Sequence, residues 1–203
     1  MAQRCQQDSG WQGAFRPKLL LFFLNLGFTM NSVLSAPALS KTITRLSYEI
    51  TEGCPDASNL ILMGILTRGA TLATRLSSHI SNIKGIGPLV ESLDVSMFRD
   101  DTITAPDTLF NPIQTNTENR HVILIDDVMY TGRTMLAAIE AIKRSGRPKL
   151  IQLAVLIDRG HRQMPLRPEY VGKNIPTSLT EHVRVKLSEV DGTDEVVIEK
   201  RKG

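Results

Sequence analysis

Cysteine is scarce: only Cys5 and Cys54 occur in 203 residues, so no disulfide framework is available and a reducing, cytosolic setting is permitted. Four scattered histidines and two distant cysteines give no metal-ligating spacing. No apolar run reaches the roughly 18 residues that a membrane-spanning helix needs. Aromatic residues make up 5% of the chain, and half of them (Trp11, Phe15, Phe22, Phe23 and Phe28) fall in residues 1–29. The remainder therefore has little with which to stack on bases. Charge of one sign is also in short supply. The net charge is +3, and Arg4, Arg16 and Lys18 against Asp8 place two of those three charges in residues 1–29. A nucleic-acid role for residues 30–203 must then rest on local clustering of cations. Neither G-x-x-x-x-G-K nor G-x-G-x-x-G occurs, which excludes the P-loop and the dinucleotide fingerprint.

What is present suits one domain with a tail: 41% apolar and 22% charged residues, enough for a core without staples. Residues 1–29 stand apart as an N-terminal extension. The stretch LLLFFLNLGF (19–28) follows Arg16 and Lys18 and precedes Ala36-Pro37-Ala38, the layout of a weak secretory signal. Two other accounts fit it as well: sequence upstream of a true start at Met30, or a partner-binding tail. Residues 30–203 are expected to form the folded domain.

Along that domain, Lys41–Thr51 has helical spacing with Ser40 as N-cap, and Leu60–Ile65 is a short apolar run of the kind buried on both faces of a sheet. Ala70–Ile83 predicts a helix, and Val90–Phe98 a strand. Residues 102–120 carry prolines, threonines and asparagines without periodicity and predict a long loop, a length that compact domains keep for a lid or a binding function. Val122–Ile125 and Ile151–Ile157 are further buried strands, separated by a helix over Gly132–Ser145. Val183–Leu187 and Val196–Glu199 predict late strands of a smaller element. This strand–helix alternation means an α/β fold, with a mostly parallel sheet flanked by helices.

The chemistry concentrates in VILIDDVMYTGRT (122–134). Four apolar residues lead into the paired carboxylates Asp126 and Asp127, and a Thr-Gly-Arg-Thr turn opens the next helix. Ligands of open parallel sheets bind outside the carboxyl ends of strands, where this pair falls. The Tyr130–Thr134 turn offers backbone N–H groups, two hydroxyls and a helix N-terminus, a combination that favours a phosphate. Carboxylates beside a phosphate site suit sugar hydroxyls, or Mg²⁺ bridging a pyrophosphate. The segment fits a sugar phosphate. His79, His121 and His182 read as structural.

This segment resembles the phosphoribosyl-pyrophosphate signature of type I phosphoribosyltransferases. Within them, the chain is similar to the bifunctional family of pyrimidine-operon attenuation regulators and uracil phosphoribosyltransferases. The likeness spans about residues 38–200 and includes GILTRG (64–69), FRDD (98–101), IQLAVLIDRGHRQMPLRPEYVGKNIPTS (151–178) and EVDGTDEV (189–196). It implies the type I fold with a small hood, a cytoplasmic homo-oligomer with no membrane contact, and the reaction of uracil with phosphoribosyl pyrophosphate to give UMP and pyrophosphate. It also implies a part in pyrimidine gene regulation, or alternatively a UMP/UTP-sensing mRNA-binding attenuator with weak or no transferase activity.

The resemblance assigns Asp126 and Asp127 to the ribose 2- and 3-hydroxyls. It gives Val128, Met129, Tyr130, Thr131, Gly132, Arg133 and Thr134 to the 5-phosphate, and Thr67 and Arg68 to the pyrophosphate. Mg²⁺ arrives on the substrate, with no direct protein ligand. Arg99, with Asp100 and Asp101, stands at the base of a loop that folds over the site. Ile157, Asp158, Arg159 and Gly160 mark the uracil region. Candidate contacts to a pyrimidine-operon leader mRNA are Thr44, Arg45, His161, Arg162, Arg167 and Lys173. Two departures stand out. Residues 102–119 contain no Lys or Arg, whereas relatives carry lysines there. Tyr48 replaces the usual His of the first helix, whose end, Glu52–Asp56, is acidic rather than basic.

Overall fold

The computed structural model describes residues 28–95 and 113–201, with side chains from Met30 to Lys200. Three apolar runs build the centre of a five-stranded parallel sheet. They are β2 (Leu60–Ile65), β4 (His121–Met129) and β5 (Leu150–Asp158), flanked by β3 (Leu89–Leu93) and β6 (Tyr170–Asn174) in the order β3-β2-β4-β5-β6. All six residues of β2 are buried, as a strand covered on both faces must be. Helices α1 (Ala36–Gly53) and α2 (Arg68–Lys84) cover one face, and α3 (Arg133–Ser145) covers the other. The first core joins Leu39, Ile43, Leu46 and Ile50 of α1 to Leu72 and Leu76 of α2. The second sets Met135, Ala138 and Ile142 of α3 on Ile61, Met63, Val122 and Leu124.

A second, antiparallel sheet of order β1-β8-β7 is formed by β1 (Phe28–Leu34), β8 (Glu195–Arg201) and β7 (Glu181–Lys186), with the short helix α4 (Ser188–Asp191) between β7 and β8. Leu34, Val185, Leu187 and Val196 bury this hood against the first core. The expected parallel sheet, helical flanks and small hood are all found.

Four differences from the expected elements have physical causes. The strand expected to end at Ile125 continues to Met129, because Asp126, Val128 and Met129 pair in register with Val155, Ile157 and Asp158. Helix α1 begins at Ala36 rather than after Ser40; Pro37 sits in its first turn, where a missing N–H costs nothing. Ala36-Pro37-Ala38 is thus helical, and β1 starts at Phe28. Strand β6 has too few apolar residues in YVGKN to announce itself, yet it pairs with β5 from Ala154↔Tyr170 to Asp158↔Asn174. The expected strand Val90–Phe98 is realised as Leu89–Leu93, and its last residues, like Arg99, Asp100, Asp101 and most of the expected loop, lie outside the described residues.

Candidate active site

The carboxyl ends of β2, β4 and β5 lie side by side, and each delivers one part of the site. At the end of β2, the Leu66–Thr67 peptide is cis, and Arg68 opens α2. Gly69 lets α2 approach β4 closely, since a Cβ there would lie 2.5 Å from the Ile125 carbonyl oxygen. The expected pyrophosphate segment and the acid pair are therefore back to back.

On β4, the Asp127 amide donates to Asp126 Oδ1 at 2.9 Å, and the Val128 amide donates to Asp127 Oδ1 at 2.9 Å. Burial pushes the Asp127 carboxyl above the usual carboxylate range, against the lowering pull of Asp126 and of the Arg68 charge. Paired carboxylates fixed through their own backbone can accept hydrogen bonds from a vicinal diol, and as hard oxygen donors they fit Mg²⁺ chemistry. Among the described residues no group of three or more His, Cys, Asp or Glu could hold a metal ion.

The turn after β4 takes a positive φ of 88° at Gly132, which caps α3 and requires a residue without Cβ. No side chain closes that helix start. A second layer braces the turn from outside. The Gln163 and Met164 amides donate to the Thr131 carbonyl at 2.9 and 3.1 Å, and the Arg159 amide donates to the Met129 carbonyl at 3.0 Å. Arg133 Nε donates to Gln163 Oε1 at 3.3 Å. The arrangement leaves the inner side of the turn to an anion at a helix N-terminus.

At the end of β5 the first arginine is buried. Arg159 is 6% exposed, and its guanidinium donates to Thr177 Oγ1 at 2.8 Å and to the Glu181 carbonyl at 2.6 Å. It also lies 4.2 Å over the Tyr130 ring, which His161 meets edge-on at 5.6 Å. Burial pulls the Arg159 pKa down, yet a guanidinium stays charged in proteins. Asp158, buried, accepts from the Gly160 amide at 2.9 Å and from Arg162. Asp158, Arg159, Gly160, His161, Arg162 and Arg167 line one open depression of about 560 Å³. The expected uracil region and three of the candidate RNA contacts thus share a surface.

The other three candidate RNA contacts are on α1 and β6 and do not line the depression. Thr44 Oγ1 donates to the Ser40 carbonyl at 3.0 Å. Arg45 pairs with Glu49 and donates to the Val171 and Gly172 carbonyls at 3.0 and 2.6 Å, and Lys173 Nζ reaches the Val33 carbonyl at 3.4 Å. Arg45, His161 and Arg162 all have partners within the chain.

Sequence reasoning missed the acidic turn of the hood. Arg68 is held by Asp191, and Arg75 is held by Glu189 and Asp194. The only signal was the spacing of three acids in EVDGTD (189–194), opposite two arginines seven residues apart on one helix.

With this geometry established, comparison places the chain among known proteins. A family model described as "Phosphoribosyl transferase domain" matches residues 29–189. The chain is 49% identical over 175 residues to a "Bifunctional protein PyrR" of Halalkalibacterium halodurans, covering 83% of this chain and 97% of that one. It is 50% identical over 170 residues to the protein of the same name from Clostridium kluyveri, covering 82% and 95%. A solved hypoxanthine phosphoribosyltransferase from Staphylococcus aureus superposes with a TM-score of 0.63 at 20% identity, over 82% of this chain and 90% of that one, a likeness of fold alone. The chain therefore belongs to the phosphoribosyl transferase domain family.

Proposed function

We propose that the protein is a uracil phosphoribosyltransferase, joining uracil to phosphoribosyl pyrophosphate with release of pyrophosphate and formation of UMP. It acts in the cytoplasm as a homo-oligomer, and its domain covers residues 30–203, with β1 reaching two residues back into the extension to Phe28. The observation that carries this reading is the adjacency of three parts: the Thr67-Arg68 segment, the Asp126–Asp127 pair and the Tyr130–Thr134 turn, on neighbouring strand ends. The family match and the relatives at about half identity support it.

In this reading Asp126 and Asp127 hold the ribose diol. Val128–Thr134 enclose the 5-phosphate, with Thr131 and Thr134 donating from their hydroxyls, and Arg68 faces the diphosphate. Mg²⁺, when bound with the donor, supplies neutralisation of the leaving diphosphate. Positive charge builds on the ribose as the diphosphate departs, so the protein's work is positioning and charge complementarity rather than covalent catalysis. Backbone groups of Ile157–Gly160 hold uracil.

A second activity, regulation of pyrimidine genes through leader mRNA, is favoured by the relatives' name, "Bifunctional protein", and by the arginines Arg162 and Arg167, with His161, around one depression. UMP or UTP is the effector. Two assays test the reading. Purified protein with Mg²⁺ and phosphoribosyl pyrophosphate is expected to convert uracil, and not hypoxanthine, to its nucleotide; conversion of hypoxanthine alone contradicts it. Leader RNA is expected to bind more tightly than a scrambled RNA, and equal affinities contradict the regulatory half.

A further inference from the structure

Arg68, the first residue of α2, forms a parallel fork with Asp191 of the hood: Nε to Oδ2 at 3.2 Å and Nη2 to Oδ1 at 2.7 Å. The Leu187 amide donates to the same carboxylate at 3.0 Å, which fixes its orientation. This Nε–Nη2 edge is also the one with which a guanidinium grips a phosphate, two parallel N–H bonds to two oxygens. A single edge cannot serve both anions. The charge of Asp127 also acts on Arg68, so the guanidinium is coupled electrostatically to the acid pair as well as bonded to the hood.

The contact is not what docks the hood. Arg75, seven residues along α2, binds Glu189 and Asp194 and donates to Ser188 Oγ at 2.9 Å, and Leu187 and Val196 are buried in the core. Helix α4 therefore keeps its place without Asp191, and the Arg68–Asp191 pair is free to serve another end.

We infer that Asp191 is a resident stand-in for the diphosphate: it occupies the Arg68 fork in the unliganded protein, and the phosphoribosyl donor must displace it to bind. This deepens the transferase reading proposed above and rests on it. The pair ties the pyrophosphate segment to the hood, so its exchange for a diphosphate releases the last residue of α4 at the moment the donor arrives. The side chains of Arg68 and Asp191 are 31% and 21% exposed, so water reaches the pair and its effect on affinity is moderate.

The test is calorimetric titration of the full chain with magnesium phosphoribosyl pyrophosphate and, separately, with UMP, which carries no diphosphate. Asp191→Asn keeps an oxygen for the Leu187 amide while removing the charge, and Asp191→Ala serves as a second variant. Both are expected to bind the donor about twofold to fivefold more tightly than wild type, with unchanged UMP affinity. Unchanged or weaker donor binding, or an equal gain for UMP, overturns the inference and leaves the transferase reading standing. No donor binding by the wild type overturns both.

Discussion

Gly69 packs its backbone against Asp126: a Cβ on Gly69 would lie 3.3 Å from the Asp126 Cα and 2.5 Å from the Ile125 carbonyl oxygen. Both neighbours are backbone in a central strand, so neither can swing aside. Gly69→Ala is expected to force α2 away from β4, costing about 1–3 kcal/mol of stability by the usual penalty for overpacking. Because the shift separates Arg68 from the acid pair, donor affinity is expected to fall as well. Urea unfolding and a donor titration on one preparation measure both effects.

Arg159 is a brace rather than a surface cation. Its removal in Arg159→Met strands the Ser178 and Glu181 carbonyls and uncovers the Tyr130 face. A loss of about 2–4 kcal/mol in chemical unfolding is expected for a buried, charge-assisted network of this kind. Arg159→Lys is expected to recover less than half of it, since an ammonium cannot reproduce the planar fork.

Acid stability reports on the hood. Hydrogen bonds from Arg75 hold Glu189 and Asp194 below their usual carboxylate ranges, and those from Arg68 do the same for Asp191. A depressed folded pKa means stabilisation that is complete above the unfolded value and lost as pH falls through the folded one. Thermal midpoints of the wild type are thus expected to fall from about pH 5 downward. Arg75→Met is expected to lower the midpoint at neutral pH and to flatten the acid limb. Asp127, whose pKa is raised by burial, acts in the opposite sense in both proteins and cancels in the comparison.

Most of the parallel sheet was legible because its strands are uninterrupted apolar runs: Leu60–Ile65 was read residue for residue. The candidate site stands out at Asp126–Thr134 because paired acids and a Thr-Gly-Arg-Thr turn directly after such a run have few structural uses. What escaped depended on partners distant in sequence. YVGKN becomes a strand only because Ala154–Asp158 offers a ladder, and FTMNSVL only because β8 lies beside it. Arg159, expected in the uracil region, carries no local sign that its side chain is buried. Its burial is set by carbonyls at Ser178 and Glu181, which no local pattern announces. The Arg68–Asp191 pair joins positions 123 residues apart, and sequence gave each acid of 189–194 an equal claim.

In the proposed reaction the Asp126–Asp127 pair holds the ribose of a phosphoribosyl donor whose diphosphate is exchanged for uracil. Initial rates of UMP formation from uracil, Mg²⁺ and phosphoribosyl pyrophosphate test it most directly, with wild type beside Asp127→Asn. The wild type is expected to turn over, and Asp127→Asn to lose about 10²-fold or more in kcat/KM, as when a group that positions the reacting sugar is removed. A wild type without UMP formation above background, or an Asp127→Asn rate equal to that of the wild type, contradicts the account.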